Sequence, residues 1–252
     1  VKNKRIVVKL GTGILSVEGG LGLDVAQFRR LAGEIAELCA AGWGVILVSS
    51  GAVAAGVREL GLPERPAELA AKQACAAIGQ SALMRTYHDC LSAHGLLTAQ
   101  LLLTHDDIDS RLRRENAKRA LECLLQTRRV VPIVNENDSV AVEELRFGDN
   151  DRLSAEVAVL AEASLLVILT SVNGVLDSKG CVIPEINDIQ AAFAYVTDET
   201  GRFSVGGMRT KLEAARIARE AGIPCRIANG RVPGILLEIS AGGSPGTFIP
   251  SA

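Results

Sequence analysis

Aromatic side chains are scarce: one tryptophan, two tyrosines and five phenylalanines among 252 residues. A chain so poor in rings, with 25 glycines and 48% apolar residues, favours close α/β packing over an all-β sandwich. It lacks a surplus of either charge, with 27 lysines and arginines against 29 aspartates and glutamates. That balance gives no reason to expect a nucleic-acid stripe or a membrane-surface patch. No apolar run approaches the roughly 18 residues that a membrane span requires, and no signal-peptide core follows the first residues. The six cysteines (Cys39, Cys75, Cys90, Cys123, Cys181 and Cys225) include no Cys-x-x-Cys pair. They read as reduced, mostly buried thiols of a cytoplasmic protein. His88, His94 and His105 are scattered, zinc spacing is missing, and no metal held by protein ligands is expected. Without a Ser-His-Asp or Cys-His arrangement, covalent acyl chemistry is disfavoured.

What is present centres on residues 130–152. Val130 to Val134 is an apolar, β-branched run that reads as a buried strand. Polarity then flips at Asn135, Glu136, Asn137 and Asp138. Gly148-Asp149-Asn150-Asp151 repeats the amide-and-carboxylate theme just before a helical pattern over Leu153–Ala163. Turn formation alone explains either cluster taken singly. At the carboxyl ends of strands in an open α/β sheet, where ligands bind, the two together offer donors and acceptors to a small ligand carrying an amine and an acid.

Other strand ends follow the same logic. Arg5–Leu10 reads as a strand containing a cation, Lys9, and it runs into Gly11-Thr12-Gly13. An ammonium in a buried run is costly without a partner. Either Lys9 reaches solvent at the sheet's end, or it meets a phosphate that the glycine turn also approaches. The spacing matches neither the P-loop nor Gly-x-Gly-x-x-Gly. Val45–Val48 breaks into Ser49-Ser50-Gly51-Ala52, small residues that let backbone approach a ligand at a helix start. Leu165–Leu169 ends in Thr170-Ser171, and Val205-Gly206-Gly207-Met208-Arg209-Thr210-Lys211 opens a helix whose early lysine suits an anion.

Between these motifs the spacing predicts several further elements. Asp24 caps a helix with Val25, Phe28, Leu31, Ile35 and Leu38 on one face. Residues 67–93 are helical with an interruption at Gly79, and Leu96–Leu103 is a strand. Thr104–Asp109 is a polar loop. Arg111–Arg129 is an amphipathic helix with Ala117, Ala120, Leu121 and Leu124 inward, its basic face solvated. Cys225–Ala228 and the end of Gly242–Ile249 are strands. The repeated strand–turn–helix order predicts one continuous domain over 1–252 with a largely parallel sheet covered on both faces.

Lys9 and Lys211 come from opposite ends of the chain, and both sit beside glycines. Phosphoryl transfer needs cations around a charge-rich moving group and alignment. Asp151 between them would hold the lysines apart and orient them, with Ser50 and the Asn/Asp clusters holding the acceptor.

These residues resemble the amino acid kinase family over nearly the full length. The resemblance rests on Val-Val-Lys-Leu-Gly-Thr at 7–12, Ser-Ser-Gly-Ala-Val-Ala-Ala-Gly at 49–56 and Ile-Val-Asn-Glu-Asn-Asp-Ser-Val at 133–140. Gly-Asp-Asn-Asp at 148–151 and Gly-Gly-Met-Arg-Thr-Lys at 206–211 complete it. The two Asn/Asp motifs point within the family to kinases acting on the γ-carboxylate of free L-glutamate, the first step of proline synthesis.

The resemblance implies a three-layer α/β/α sandwich with a mainly parallel sheet of about eight strands, and homodimers or homotetramers. It implies ATP with Mg2+, the metal held by phosphate oxygens and water, and L-proline as a feedback inhibitor. Lys9, Lys211 and Asp151 take the catalytic roles. Ser50, Gly51, Ala52, Asn135, Asp138, Asp149 and Asn150 take glutamate, mainly within 1–165. Lys9, Gly11, Thr170, Ser171, Val205, Gly206, Gly207, Met208, Arg209, Thr210 and Lys211 line the nucleotide, mainly within 166–252. Many members carry a C-terminal domain of an RNA-binding type, and none is expected in this stretch. Ser171 stands where the family often has Asp, and Ser204-Val205 where Gly-Thr is usual. The alternatives are an acetylglutamate or aspartate kinase of the same family, or a catalytically silent amino-acid sensor.

Overall fold

The computed structural model describes residues 4–17, 22–140, 150–195 and 207–252. Among them, seven strands form one sheet in the order β3-β4-β2-β1-β5-β6-β7. These are β1 (Arg5–Leu10), β2 (Gly44–Ser49), β3 (Leu97–Leu103), β4 (Val130–Glu136), β5 (Leu165–Thr170), β6 (Cys225–Asn229) and β7 (Thr247–Ile249). All neighbours pair in parallel except β6 with β7. The chain moves from β1 to β2 on one side and later returns to β5 on the other, so the order reverses beside β1. A crevice at the carboxyl ends of strands is the expected ligand position at such a reversal.

Side chains alternate between the sheet's two faces. Ile6, Val8 and Leu10 join one apolar cluster, with Phe28, Leu31, Ile35 and Leu38 of α2 (Val25–Ala40) and Leu83 and Tyr87 of α4 (Leu69–Ser92). Val7 joins the other, with Leu153 and Val157 of α7 (Asn150–Leu160) and Leu212 and Ala215 of α9 (Met208–Glu220). Helices therefore cover both faces, the expected sandwich. Lys9 shares Val7's parity and so faces α7 and α9.

Asp24 caps α2 as expected, accepting from the Gln27 backbone N–H. Several boundaries differ from the sequence reading. Thr104–Asp109 is not a loop: Thr104 and Asp107 close a capping box on α5 (His105–Asp109), a reciprocal pairing of side chains and N–H groups that stabilises even one turn. α6 runs from Arg111 to Gln126 and buries Ala117 and Leu121, while Ala120 is exposed and Leu124 half-buried. β4 continues through Asn135 to Glu136, so the polar cluster begins inside the strand. Pro132 has no N–H to give a ladder, and β4 joins β2 only at Ile133 and Val134. Cys75, Cys90 and Cys225 are buried, but Cys123 and Cys181 are exposed.

Gly79 does not interrupt α4, which is continuous over its 24 residues. Its missing side chain serves packing. A Cβ there would lie 1.8 Å from the Ala52 carbonyl oxygen and 2.3 Å from the Gly56 nitrogen of α3 (Ala52–Glu59). A Cβ on Gly56 would in turn lie 1.8 Å from the Cys75 carbonyl oxygen. The two helices touch backbone to backbone, which fixes α3 and the Ser50 turn before it. Gly79→Ala is expected to cost about 3 kcal/mol or more through overpacking against immobile backbone. It should lower the urea unfolding midpoint accordingly, and an unchanged midpoint would show that α3 and α4 separate freely.

Candidate active site

Lys9 lies near the carboxyl end of β1, and its side chain reaches Asp151 at the start of α7. Its Nζ is 2.5 Å from Asp151 Oδ1. Lys211, one turn into α9, places its Nζ 3.0 Å from Asp151 Oδ2. Both lysines are buried and Asp151 is fully so. Thr210 Oγ1 donates to Asp151 Oδ2 at 2.9 Å, and Lys211 Nζ also reaches the Gly207 carbonyl oxygen at 3.3 Å. The three charged groups sum to one positive charge. Desolvating ammonium groups is expensive, and pairing with a buried carboxylate offsets that cost. A Cβ on Gly11 would lie 3.4 Å from Lys9 Nζ, in ordinary van der Waals contact, so the turn after β1 passes beside the ammonium.

Residue 150 joins this cluster to a second one. Asn150 and Asp151 are consecutive at the start of α7 and turn to different neighbours. Asn150 Nδ2 donates to the Ser49 carbonyl oxygen at 2.8 Å, to Ser50 Oγ at 3.1 Å and to Asn135 Oδ1 at 2.9 Å. Asn135 Oδ1 also accepts from the Glu136 backbone N–H, and Asn135 Nδ2 donates to Gln80 Oε1 at 2.8 Å. Asn150 Oδ1 is buried with no hydrogen-bond partner among the described residues. Gly51 takes a left-handed φ of 104° that lets the chain turn from β2 into α3 at Ala52, which is buried. Asp138 is half-buried in the turn after β4.

At the carboxyl end of β5, Thr170 closes the strand and its carbonyl accepts from Gly230 N–H at 2.9 Å. Ser171 follows, and a Cβ on Gly13 would lie 3.9 Å from its Oγ, so the turns after β1 and β5 adjoin. Gly207 is the N-cap of α9. Met208 packs against the core on that face, and the Arg209 guanidinium lies 5.8 Å over the Phe193 ring. Asp149, Val205 and Gly206 lie outside the described residues.

The sequence reading missed the supports. Ser49 Oγ and the buried Tyr87 hydroxyl are 2.9 Å apart beneath the Ser50 turn. Arg231 donates to the carbonyl oxygens of Gly13 and Ser16 and so braces the turn after β1. Arg65 comes within electrostatic range of Asp138; burial lowers its pKa and that carboxylate partly offsets the effect. Tyr87, Arg231 and Arg65 stand in no motif, and their partners are far away in sequence.

His105 Nδ1 is 3.0 Å from Glu156 Oε2, tying α5 to α7. The hydrogen bond to Glu156 raises the imidazole pKa. Burial works against it, the charges of Glu156 and Glu136 add to it, and Arg152 subtracts. Burial pushes the Glu156 carboxyl up, but hydrogen bonds from His105 and Arg152 outweigh it and hold the pKa below the usual range.

Comparison with known proteins agrees with this geometry. The sequence profile of the amino acid kinase family matches residues 4–229. The chain belongs to the amino acid kinase family. Among curated relatives it is similar to glutamate 5-kinase of Thermus thermophilus, 45% identical over 97% of this chain and 67% of the relative. It is 48% identical to glutamate 5-kinase of Geobacter metallireducens, over 99% of this chain and 69% of that one. Two solved structures share the fold. UMP kinase from Bacillus anthracis has a TM-score of 0.63 at 17% identity, covering 98% of this chain and 96% of that one. N-acetylglutamate synthase from Neisseria gonorrhoeae has a TM-score of 0.69 at 16% identity, covering 99% and 62% respectively.

The His105–Glu156 pair gives a pH prediction. A histidine pKa raised on folding adds stability that is complete below the unfolded value, 6.5, and is lost as pH rises through the folded value. His105→Gln should therefore lower Tm relative to the wild type at about pH 6, and the gap should narrow by about pH 9. A gap that widens with pH would reverse the assigned charge state.

Proposed function

We propose that this protein transfers the γ-phosphoryl group of ATP to the γ-carboxylate of L-glutamate, giving L-glutamyl 5-phosphate and ADP. One observation carries the reading. Lys9 and Lys211 converge on Asp151, the residue next to Asn150 and its amide cluster, so cationic and acceptor groups adjoin. The curated relatives are glutamate 5-kinases, which favours glutamate over the acetylglutamate and aspartate alternatives.

The residues suit a polyphosphate. Two ammonium groups, that of Lys9 beside the Gly11 turn, can neutralise charge as it develops on the transferring group. Mg2+ would arrive with ATP, held by phosphate oxygens and water. A glutamate carboxylate oxygen bonds to the γ-phosphorus while the bond to the β–γ bridging oxygen breaks, and the electron pair leaves on ADP. An ionised carboxylate is already nucleophilic, so no general base is required.

Ser50, the Gly51 and Ala52 backbone, Asn135, Asp138 and Asn150 would hold glutamate, supported by Asp149. Gly11, Thr170, Ser171 and residues 205–211 would hold the nucleotide. Residues 1–252 act as one kinase domain in this reading, with the acceptor site mainly in 1–165. Feedback inhibition by L-proline, assembly as a homodimer or homotetramer and a cytoplasmic place in proline synthesis belong to the same proposal. Among the described residues no helix is long and apolar enough to cross a membrane.

Lys9→Ala and Lys211→Ala should each lower kcat at least about 100-fold, several kcal/mol of transition-state stabilisation, with little change in glutamate KM. Asp138→Ala and Asn150→Ala should chiefly raise glutamate KM. A coupled ADP-release assay with glutamate, acetylglutamate and aspartate in parallel checks both. Unchanged turnover in both lysine variants would remove the phosphate role. Movement of only the ATP KM in the Asp138 and Asn150 variants would overturn the acceptor assignment. Glutamate binding without ADP release in the wild type would favour a silent sensor.

A further inference from the structure

The acceptor cluster is the inner end of a directional ladder of side-chain amides. Asn150 Nδ2 donates to Asn135 Oδ1, and Asn135 Nδ2 donates to Gln80 Oε1. Gln80 Nε2 then donates to Gln100 Oε1 at 3.2 Å. The polarity is not arbitrary, although the two ends of an amide are hard to tell apart by shape. The Glu136 backbone N–H can only donate, and it points at Asn135 Oδ1; the Ser49 carbonyl can only accept, and it faces Asn150 Nδ2. These two backbone groups fix both asparagines, and the fixed Asn135 Nδ2 requires an acceptor on Gln80. Asn150 Oδ1, the one amide atom in this inner pair with no partner among the described residues, is thereby the acceptor left over for a ligand.

Gln80 owes its position to the helix contact described above. It follows Gly79, where α4 packs backbone to backbone against α3. It is half-buried, whereas Asn135 is 1% exposed. Water can therefore reach Gln80 but cannot readily replace it as the partner of the Asn135 amide. Without an acceptor at this position a buried N–H group is left unsatisfied, and the relief available to it is rotation of Asn135 away from Asn150.

We propose that Gln80 is a positioning residue of the acceptor site: its side-chain oxygen holds the Asn135 amide in register, and through it keeps Asn150 Oδ1 presented to the donor groups of the bound amino acid. This inference rests on the acceptor assignment in the proposed function. Among the described residues the side-chain hydrogen bonds of Gln80 go to Asn135 and Gln100, not to the lysines or the β5 strand end, so the effect of its loss is expected on glutamate.

The test uses Gln80→Met, which keeps the length and removes the acceptor, and Gln80→Glu, which keeps an acceptor oxygen at the same place. Gln80→Met should raise glutamate KM about tenfold, the loss of roughly one buried hydrogen bond. Its kcat and ATP KM should stay within about twofold, while its Tm falls by no more than the cost of one unsatisfied amide. Gln80→Glu should recover most of the glutamate KM, its charge being solvated on the half-buried face. A glutamate KM unmoved in folded Gln80→Met overturns the proposal, as do equal defects in the two variants. Should Gln80→Met fail to fold, Gln100→Leu on the exposed strand releases the outer end of Gln80 and should raise glutamate KM about two- to threefold; no change there overturns the ladder. Wild-type protein assayed alongside separates the two levels. If it phosphorylates no glutamate, the proposed function falls and this inference with it; if it is active while Gln80→Met is unaltered, only the role of Gln80 falls.

Discussion

Two buried ammonium groups meet one buried carboxylate at Asp151, and the arrangement of the molecule around its crevice follows from holding them there. Burying charge is unfavourable unless each group is paired and hydrogen-bonded. Lys9 can be buried because the strand's alternation turns it to the face where α7 begins. Lys211 can be buried because α9 starts beside α7, one turn before the lysine. Asp151 receives both, together with the Thr210 hydroxyl. In the proposed kinase reading, two ammonium groups held in a buried setting would act on a phosphoryl group more strongly than in water.

The proposed acceptor side depends on the same helix start. Asn150 precedes Asp151, and its amide ties the ends of β2 and β4 together through Ser49, Ser50 and Asn135. The charged cluster and the amide cluster are thus joined through two adjacent residues at the first turn of α7. The backbone contact between α3 and α4 holds the other wall, because the Ser50 turn cannot shift without moving α3 against Gly79. Tyr87 supports this turn from below.

Much of this was legible in the residues. The parallel sheet and the strand ends carrying Lys9, Ser50, Asn135 and Thr170 follow from polarity changes at the ends of apolar runs, whereas the grouping of Lys9, Lys211 and Asp151 came from what phosphoryl transfer needs and from the family resemblance. Gly79 and Thr104–Asp109 were misread for physical reasons. A glycine in a helix pattern signals weak propensity, yet here a neighbouring helix needs the space its side chain would fill. A polar stretch signals a loop, yet Thr104 and Asp107 cap each other's backbone and hold one helical turn. The Gln80, Tyr87 and Arg231 contacts were invisible because each spans dozens of residues or more and lies in no periodic pattern.

By itself the sequence determined the class of the fold and the types of group at the site, because apolar periodicity and the sharp polar flips at strand ends are local properties. It placed two lysines, one aspartate and an amide cluster in the chain without distances between them. Only the tertiary structure decided that Lys9 and Lys211 share the two oxygens of one carboxylate. It also decided that Asn150 and Asp151 turn to different neighbours, and that Gln80 closes the amide ladder. Those outcomes depend on strand parity, on the order β4-β2-β1-β5 and on how closely α3 and α4 approach, and they exist only once separated segments are packed together.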